Sequence, residues 1–216
     1  GKTKMTTIRH HVSDRLLMAY AAGTLPEAFG LVVATHVSLC DECRARLGAF
    51  DAIGGQVMED CRAEMSQQSL DACMARLGMQ DQRAPNRPAP GVFPQPLRER
   101  VGGDASAVRW RPLGMGVRQA ILTTADAATA RLLYIPAGVA VPDHGHKGTE
   151  LTLVLQGAFS DATDRFGRGD LEIAGQDLEH TPVAEAGEDC ICLAATDAPL
   201  RFNSLIPRLL QPIFRI

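Results

Sequence analysis

Two sets of side chains in this sequence have the types and spacing for metal chemistry. His144 and His146 are two residues apart, so in extended backbone they share a face. Glu150 lies at the mouth of the next apolar run, Leu151 to Leu155. A turn through Gly145 and Gly148 breaks the chain between them and lets a hairpin fold Glu150 back toward the imidazoles. Two imidazoles and a carboxylate suit a divalent ion of the zinc, iron, manganese, nickel or copper group. The second set is His36-x3-Cys40-x2-Cys43. Where one helix ends and the next begins, positions i, i+4 and i+7 share a face, which gathers one imidazole and two thiolates around a point. Zinc favours such a nitrogen–sulfur set and takes a fourth ligand to close a tetrahedral structural site. His10 and His11 are the available donors. Two thiolates neutralise Zn²⁺, so the site can be buried without a stranded charge.

The elements that position these residues differ between the two halves. Ser13 or Asp14 is an N-cap for a first helix carrying Leu16, Leu17, Tyr20 and Ala21, with Gly23 as its stop. Pro26 fits the first turn of a second helix, Glu27 to Leu39, with Phe29, Val32, Val33 and Val37. A third helix begins at Cys40 and runs past Phe50, with Gly54-Gly55 expected to interrupt it. Residues 58 to 79 read as helical, with Leu70, Met74 and Leu77 on one side. Five prolines between 85 and 96, and Gly102-Gly103, then read as an extended linker. From Val108 the pattern turns to short strands at 117–122, 130–135, 151–155, 171–173, 190–195 and 200–202, separated by Gly, Pro and Asp. That spacing fits a sandwich or barrel. The expected organisation is a helical domain over 1–79, a linker over 80–105 and a β-domain over 106–216. The apolar stretch 205–216 is a closing strand or an interface arm.

The 216 residues suffice for two small domains, and 45% hydrophobic with 22% charged content describes a packed chain. A formal net charge of −3 gives no basic surplus for direct nucleic-acid binding. No apolar run approaches the ~20 residues of a membrane span, and no signal peptide is apparent, so the expected location is cytoplasmic. In that compartment the six cysteines read as ligands, core thiols or redox-active thiols rather than disulfides. Cys190 and Cys192 alternate along one strand and are the candidate redox pair, with core filling as the alternative. Cys61 and Cys73 read as core or surface thiols.

The run from Gly138 to Gly157 has the spacing G-x5-H-x-H-x3-E-x6-G and resembles the first cupin motif at every position. The resemblance implies an antiparallel jelly-roll barrel. Gly169 to His180 partly resembles the second motif. Its Pro and second Gly positions carry Gly175 and Asp177, and its Asn position carries Ala184. The resemblance makes His180 the fourth ligand beside His144, His146 and Glu150.

The helical half resembles the zinc-binding anti-sigma domains, in which a further His lies about twenty-five residues before the H-x3-C-x2-C motif. His11 stands at that distance from His36. The resemblance therefore gives His11, His36, Cys40 and Cys43, with His10 the second choice. Helices, Pro-rich segment and cupin, in that order, resemble the ChrR type of anti-sigma factor. The fold class that follows is an α+β multidomain chain, a small helical zinc-binding domain followed by a β-barrel cupin.

The resemblance implies a chain that sequesters an extracytoplasmic-function sigma factor through its zinc domain and releases it when the cupin senses oxidative stress, such as singlet oxygen. It implies a structural zinc in the helices, and zinc or another divalent transition metal in the cupin. No catalytic residue is implied. The alternative is a metal-dependent cupin enzyme, a dioxygenase or isomerase, with a helical interaction domain. A tetrahedral zinc shell of three His and one Glu leaves no site for substrate, whereas an octahedral ion leaves two. Partner identity, oligomeric state and cupin metal stay open at this level.

Overall fold

The computed structural model describes residues 7–61, 63–77, 91–125, 128–141, 144–146, 148–175, 179–198 and 200–202; at 144–146, 179–180 and 200–202 it describes the backbone alone. The expected helix end at 78–79, linker residues 80–90 and terminal arm 205–216 lie outside these residues.

Three helices open the chain: α1 (Asp14–Ala21), α2 (Glu27–Leu39) and α3 (Asp41–Asp60). Ser13 caps α1 by accepting from the Leu16 N–H, and Gly23 follows with φ of 66°. The interruption expected at Gly54-Gly55 does not occur, and α3 runs through both. Glycine weakens a helix by about 1 kcal/mol but ends one only where the chain turns left-handed, and neither residue has positive φ. The break falls at Cys61 instead, and α4 (Gln67–Leu77) follows with no buried residue. The expected extended linker is also partly wrong: Gln95–Val101 forms α5, with Pro94 as N-cap and Pro96 in its first turn, where proline's missing N–H costs nothing. A short 3-10 turn, Ala105–Ala107, follows.

The strands are β1 (Arg111–Gly114), β2 (Val117–Leu122), β3 (Thr129–Ile135), β4 (His144–His146), β5 (Glu150–Gln156), β6 (Ala158–Ser160), β7 (Arg165–Gly167), β8 (Leu171–Ala174), β9 (Glu179–His180), β10 (Val183–Ala184), β11 (Cys190–Thr196) and β12 (Leu200–Phe202). They form an antiparallel six-stranded sheet ordered β1-β2-β3-β11-β5-β8 and two three-stranded sheets, β10-β6-β7 and β12-β4-β9. Gly157, the last glycine of the 138–157 run, turns β5 into β6 with φ of 67°; a Cβ there would meet the Asp189 carbonyl oxygen at 2.7 Å. Gly157→Ala is expected to cost about 1–3 kcal/mol, read as a lowered urea midpoint; an unchanged midpoint would contradict this turn geometry.

The two inner faces enclose Val117, Ile135, Val154, Phe159, Phe166, Ala184, Cys190 and Cys192. The outer face of the large sheet is covered by helices at its centre, while Ile173 near its edge stays exposed. Leu132, Leu151, Leu153, Leu155 and Leu193 join Ala28, Phe29, Val32 and Val33 of α2 in one continuous core, with Leu17 of α1 and Leu97 of α5. So β5 and β11 are buried on both faces, which is why β11 is apolar from Cys190 to Ala195 and β5 carries Leu153, Val154 and Leu155 in succession instead of alternating. α2 is apolar nearly all round for the same reason: α1 and α3 cover one side and the sheet covers the other.

Candidate metal centre

His36 lies in the last turn of α2, and Cys40 is both the C-cap of α2 and the N-cap of α3, where its sulfur accepts the Cys43 N–H at 3.4 Å. The kink between the helices therefore turns His36, Cys40 and Cys43 to one point. The segment before α1 brings His11 to the same point. His36 Nε2 is 3.3 Å from Cys43 Sγ, and His11 Nδ1 is 3.3 Å from Cys40 Sγ and 3.6 Å from Cys43 Sγ. All four donor atoms lie within 4.8 Å of one another. A tetrahedral zinc with Zn–N near 2.0 Å and Zn–S near 2.3 Å needs donor–donor edges of about 3.3–3.8 Å, so this His2Cys2 set can hold a metal ion and fits zinc. Zinc bound there would close the fold and do no chemistry, since four protein ligands leave no position for a reacting molecule.

Cys40, Cys43 and His36 are buried, the last two fully. Burial lowers the His36 pKa to about 4, against the backbone of Gly169 and the charge of Asp170, which raise it. Burial likewise pushes the Cys43 thiol up to about 11. The ring nitrogens turned away from the cluster have neighbours of their own. His11 Nε2 is 3.4 Å from the Glu42 carboxylate. His36 Nδ1 faces the Gly169 backbone without reaching hydrogen-bond geometry. Sequence reasoning did not single out Glu42 or Asp170, and it named Gly169 only as a glycine of the second cupin motif; the signal available for Glu42 was its place inside Cys40-Asp-Glu-Cys43.

His10 is not in the cluster. Its ring lies 4.4 Å from that of Phe166, with Nε2 3.0 Å from Asp164 Oδ2. The structure brings His11, and not His10, to His36, Cys40 and Cys43.

In the barrel, β4 pairs with β9 so that His144 stands directly opposite His180. His146 stands at the other end of β4, opposite Leu200 of β12. The side chains of these three histidines lie outside the described residues. Glu150 opens β5, is buried, and accepts from the Thr152 hydroxyl at 3.2 Å; the charge of Arg131 is close enough to act on it. Cys190 and Cys192 are buried inside the barrel with sulfurs 3.5 Å apart. The Cys190 contact, burial and nearby Glu172 and Glu150 hold Cys192 well above the usual thiol range, as a poor nucleophile. Cys61 and Cys73 are exposed.

Residues 98–199 match the model of the ChrR cupin-like domain. Over 212 residues the chain is 68% identical to the anti-sigma-E factor ChrR of Cereibacter sphaeroides, covering 97% of this chain and 100% of that protein. The chain belongs to the ChrR family of anti-sigma factors. A crystal structure of Rhodobacter sphaeroides SigE in complex with the anti-sigma ChrR is similar over 88% of this chain and 100% of that one, at 66% identity and a TM-score of 0.77. The ChrR kinship sets aside the alternative of a metal-dependent cupin enzyme. Among the described residues no helix is long and apolar enough to cross a membrane.

Proposed function

We propose that this chain is an anti-sigma factor that holds an extracytoplasmic-function sigma factor on its helical half, and that its cupin half carries the signal for release. The observation that carries the reading is an apolar surface that stands exposed among the described residues. Ile53 and Val57 of α3 are 63% and 60% exposed, and Leu70, Met74 and Leu77 of α4 are 51%, 60% and 59% exposed. They repeat at helical spacing, so each helix presents one apolar face, and Met58 and Met65 add flexible side chains between the two. Apolar surface of that extent marks a protein–protein contact. ChrR, 66% identical in the solved complex, is bound to SigE, which makes a sigma factor the fitting occupant.

In this reading His11, His36, Cys40 and Cys43 hold a structural zinc that fixes the angle at which α3 leaves α2. His144, His146, Glu150 and His180 hold zinc or another divalent transition metal in the barrel. Imidazole oxidation by singlet oxygen, or loss of that metal, loosens the barrel and frees the sigma factor. Cys190 and Cys192 serve as core thiols, in keeping with their burial.

Co-expression with the extracytoplasmic-function sigma factors of the source organism tests this. One of them is expected to co-purify one-to-one with the chain, which carries two metal ions. His144→Ala is expected to keep the complex but to hold it under photosensitised singlet oxygen, which dissociates the wild-type complex. Failure of every such sigma factor to bind overturns the anti-sigma reading; equal release from the variant overturns the sensing role.

A further inference from the structure

The helical metal cluster is not surrounded by helices alone. The turn between β7 and β8, Gly167 to Asp170, reaches it from the barrel. Asp170 is buried at 4% exposure. Its Oδ1 accepts the backbone N–H of Arg9 at 2.6 Å and of His10 at 2.9 Å, the two residues before His11. Its Oδ2 accepts the Gly167 N–H at 2.8 Å, which ties the same carboxylate to its own turn. One residue on, the Leu171 N–H donates to the His10 carbonyl at 3.1 Å, so the strand itself continues the attachment. Gly169 packs so closely that a Cβ there would lie 2.6 Å from Ile8 Cδ1. The arm carrying His11 is thus laid along the barrel on both sides of Asp170, and the Gly169 backbone stands behind His36.

We propose that the β7–β8 turn is the outer shell of the helical zinc centre, with Asp170 the positioning residue that presets His11 through the backbone of its arm. Histidine ligands to metals are oriented by what holds their other atoms, and loss of such support typically costs 10–100-fold in affinity. Here that support comes from the cupin half. From Asp170 the chain runs straight into β8, whose last residue, Ala174, pairs with Glu150 of β5. One strand, about 13 Å long at 3.3 Å per residue, joins the barrel's candidate ligand Glu150 to the arm of the helical centre. A displacement of β8 at Glu150 would therefore reach the arm that carries His11 without passing along the Pro-rich segment.

The inference rests on the helical cluster binding metal, and the test separates the two. Full-length chain is loaded with Co²⁺, and the thiolate charge-transfer band that is lost in Cys40→Ser reports the helical centre, the four cysteines outside that centre being common to both spectra. Its decay in excess EDTA gives the release rate. If wild-type chain shows no such band, the metal reading itself fails. If it does, Asp170→Ala is expected to release cobalt about 10-fold faster or more, with loss of hydrogen-exchange protection at Leu171. Asp170→Asn keeps one acceptor oxygen where two are used, and is expected to fall between; it also carries the test should the alanine variant not fold. Asp189→Ala is the control: Asp189 accepts the Ala137 N–H and the Tyr134 hydroxyl elsewhere in the barrel, and its loss is expected to leave the rate unchanged. Rates within twofold of wild type for both Asp170 variants, or equal acceleration by Asp189→Ala, overturn the proposal.

Discussion

Replacing Leu70 and Met74 together by Asp is expected to abolish sigma-factor binding while leaving the fold and metal content intact. Both side chains are more than half exposed, on a helix with no buried residue. Substitutions at such positions change stability by no more than about 0.5 kcal/mol. The same side chains at the centre of an interface behave differently: a buried apolar anchor contributes about 2 kcal/mol or more to binding, and an aspartate would be stranded there without a partner. Together the two changes are expected to weaken binding by at least about 1000-fold, since every 1.4 kcal/mol is tenfold. Isothermal titration gives the affinity, and thermal melting gives the stability of the free chain. Full binding by the double variant would remove α4 from the sigma contact; a large loss of melting temperature would show that α4 packs on this chain instead.

Cys43→Ser is expected to remove the helical metal and lower stability by about 4 kcal/mol or more. An ion bound at a thousand times its dissociation constant stabilises the fold by about that amount, and this set loses one of its two charge-neutralising sulfurs. Metal analysis should fall by one ion per chain, and sigma binding should go with it. Acid then reveals His36. Its pKa is about 4 in the fold and about 6.5 in the unfolded chain. The unfolded chain therefore binds the extra proton first. The stability contributed by neutral His36, about 3 kcal/mol at 1.36 kcal/mol per pH unit, is fully present above pH 6.5 and is lost as pH falls toward 4. In the wild-type chain zinc must displace the proton of Cys43, whose thiol sits at about 11 before metal enters, so through this thiol zinc affinity should fall about tenfold per pH unit of acidification. Urea midpoints and competition against a chromophoric chelator at pH 5 to 8 check both slopes; a metal-free variant equally stable across that range would contradict the burial of His36.

The helical site was legible because its chemistry is local. His36, Cys40 and Cys43 lie within one helix–helix corner, and only His11 had to come from a distance, supplied by family spacing. The barrel candidates came from the cupin resemblance, and the structure adds that His144 and His180 stand opposite each other across β4 and β9, a pairing that no local pattern links. Strands of two or three residues such as β9, β10 and β6 are too short to show an alternation, and they went unread. α5 was hidden by prolines that sit where a helix tolerates them. The docking of the two halves left a trace that was read for something else. Leu153 to Leu155 and Cys190 to Ala195 are apolar at successive positions, which a sheet with one wet face does not need. Asp170 left no trace at all, because its partners are backbone N–H groups 160 and 161 residues away.

The doubly covered α2 bears on how such proteins can diverge. A helix whose two sides answer to different neighbours is constrained by both at once, so its sequence has little freedom to drift with either. Recombination that joined these helices to a foreign barrel would inherit Ala28, Phe29, Val32 and Val33 facing a surface they do not fit. New signals are therefore more easily acquired by changing residues inside the existing barrel than by exchanging the barrel for another.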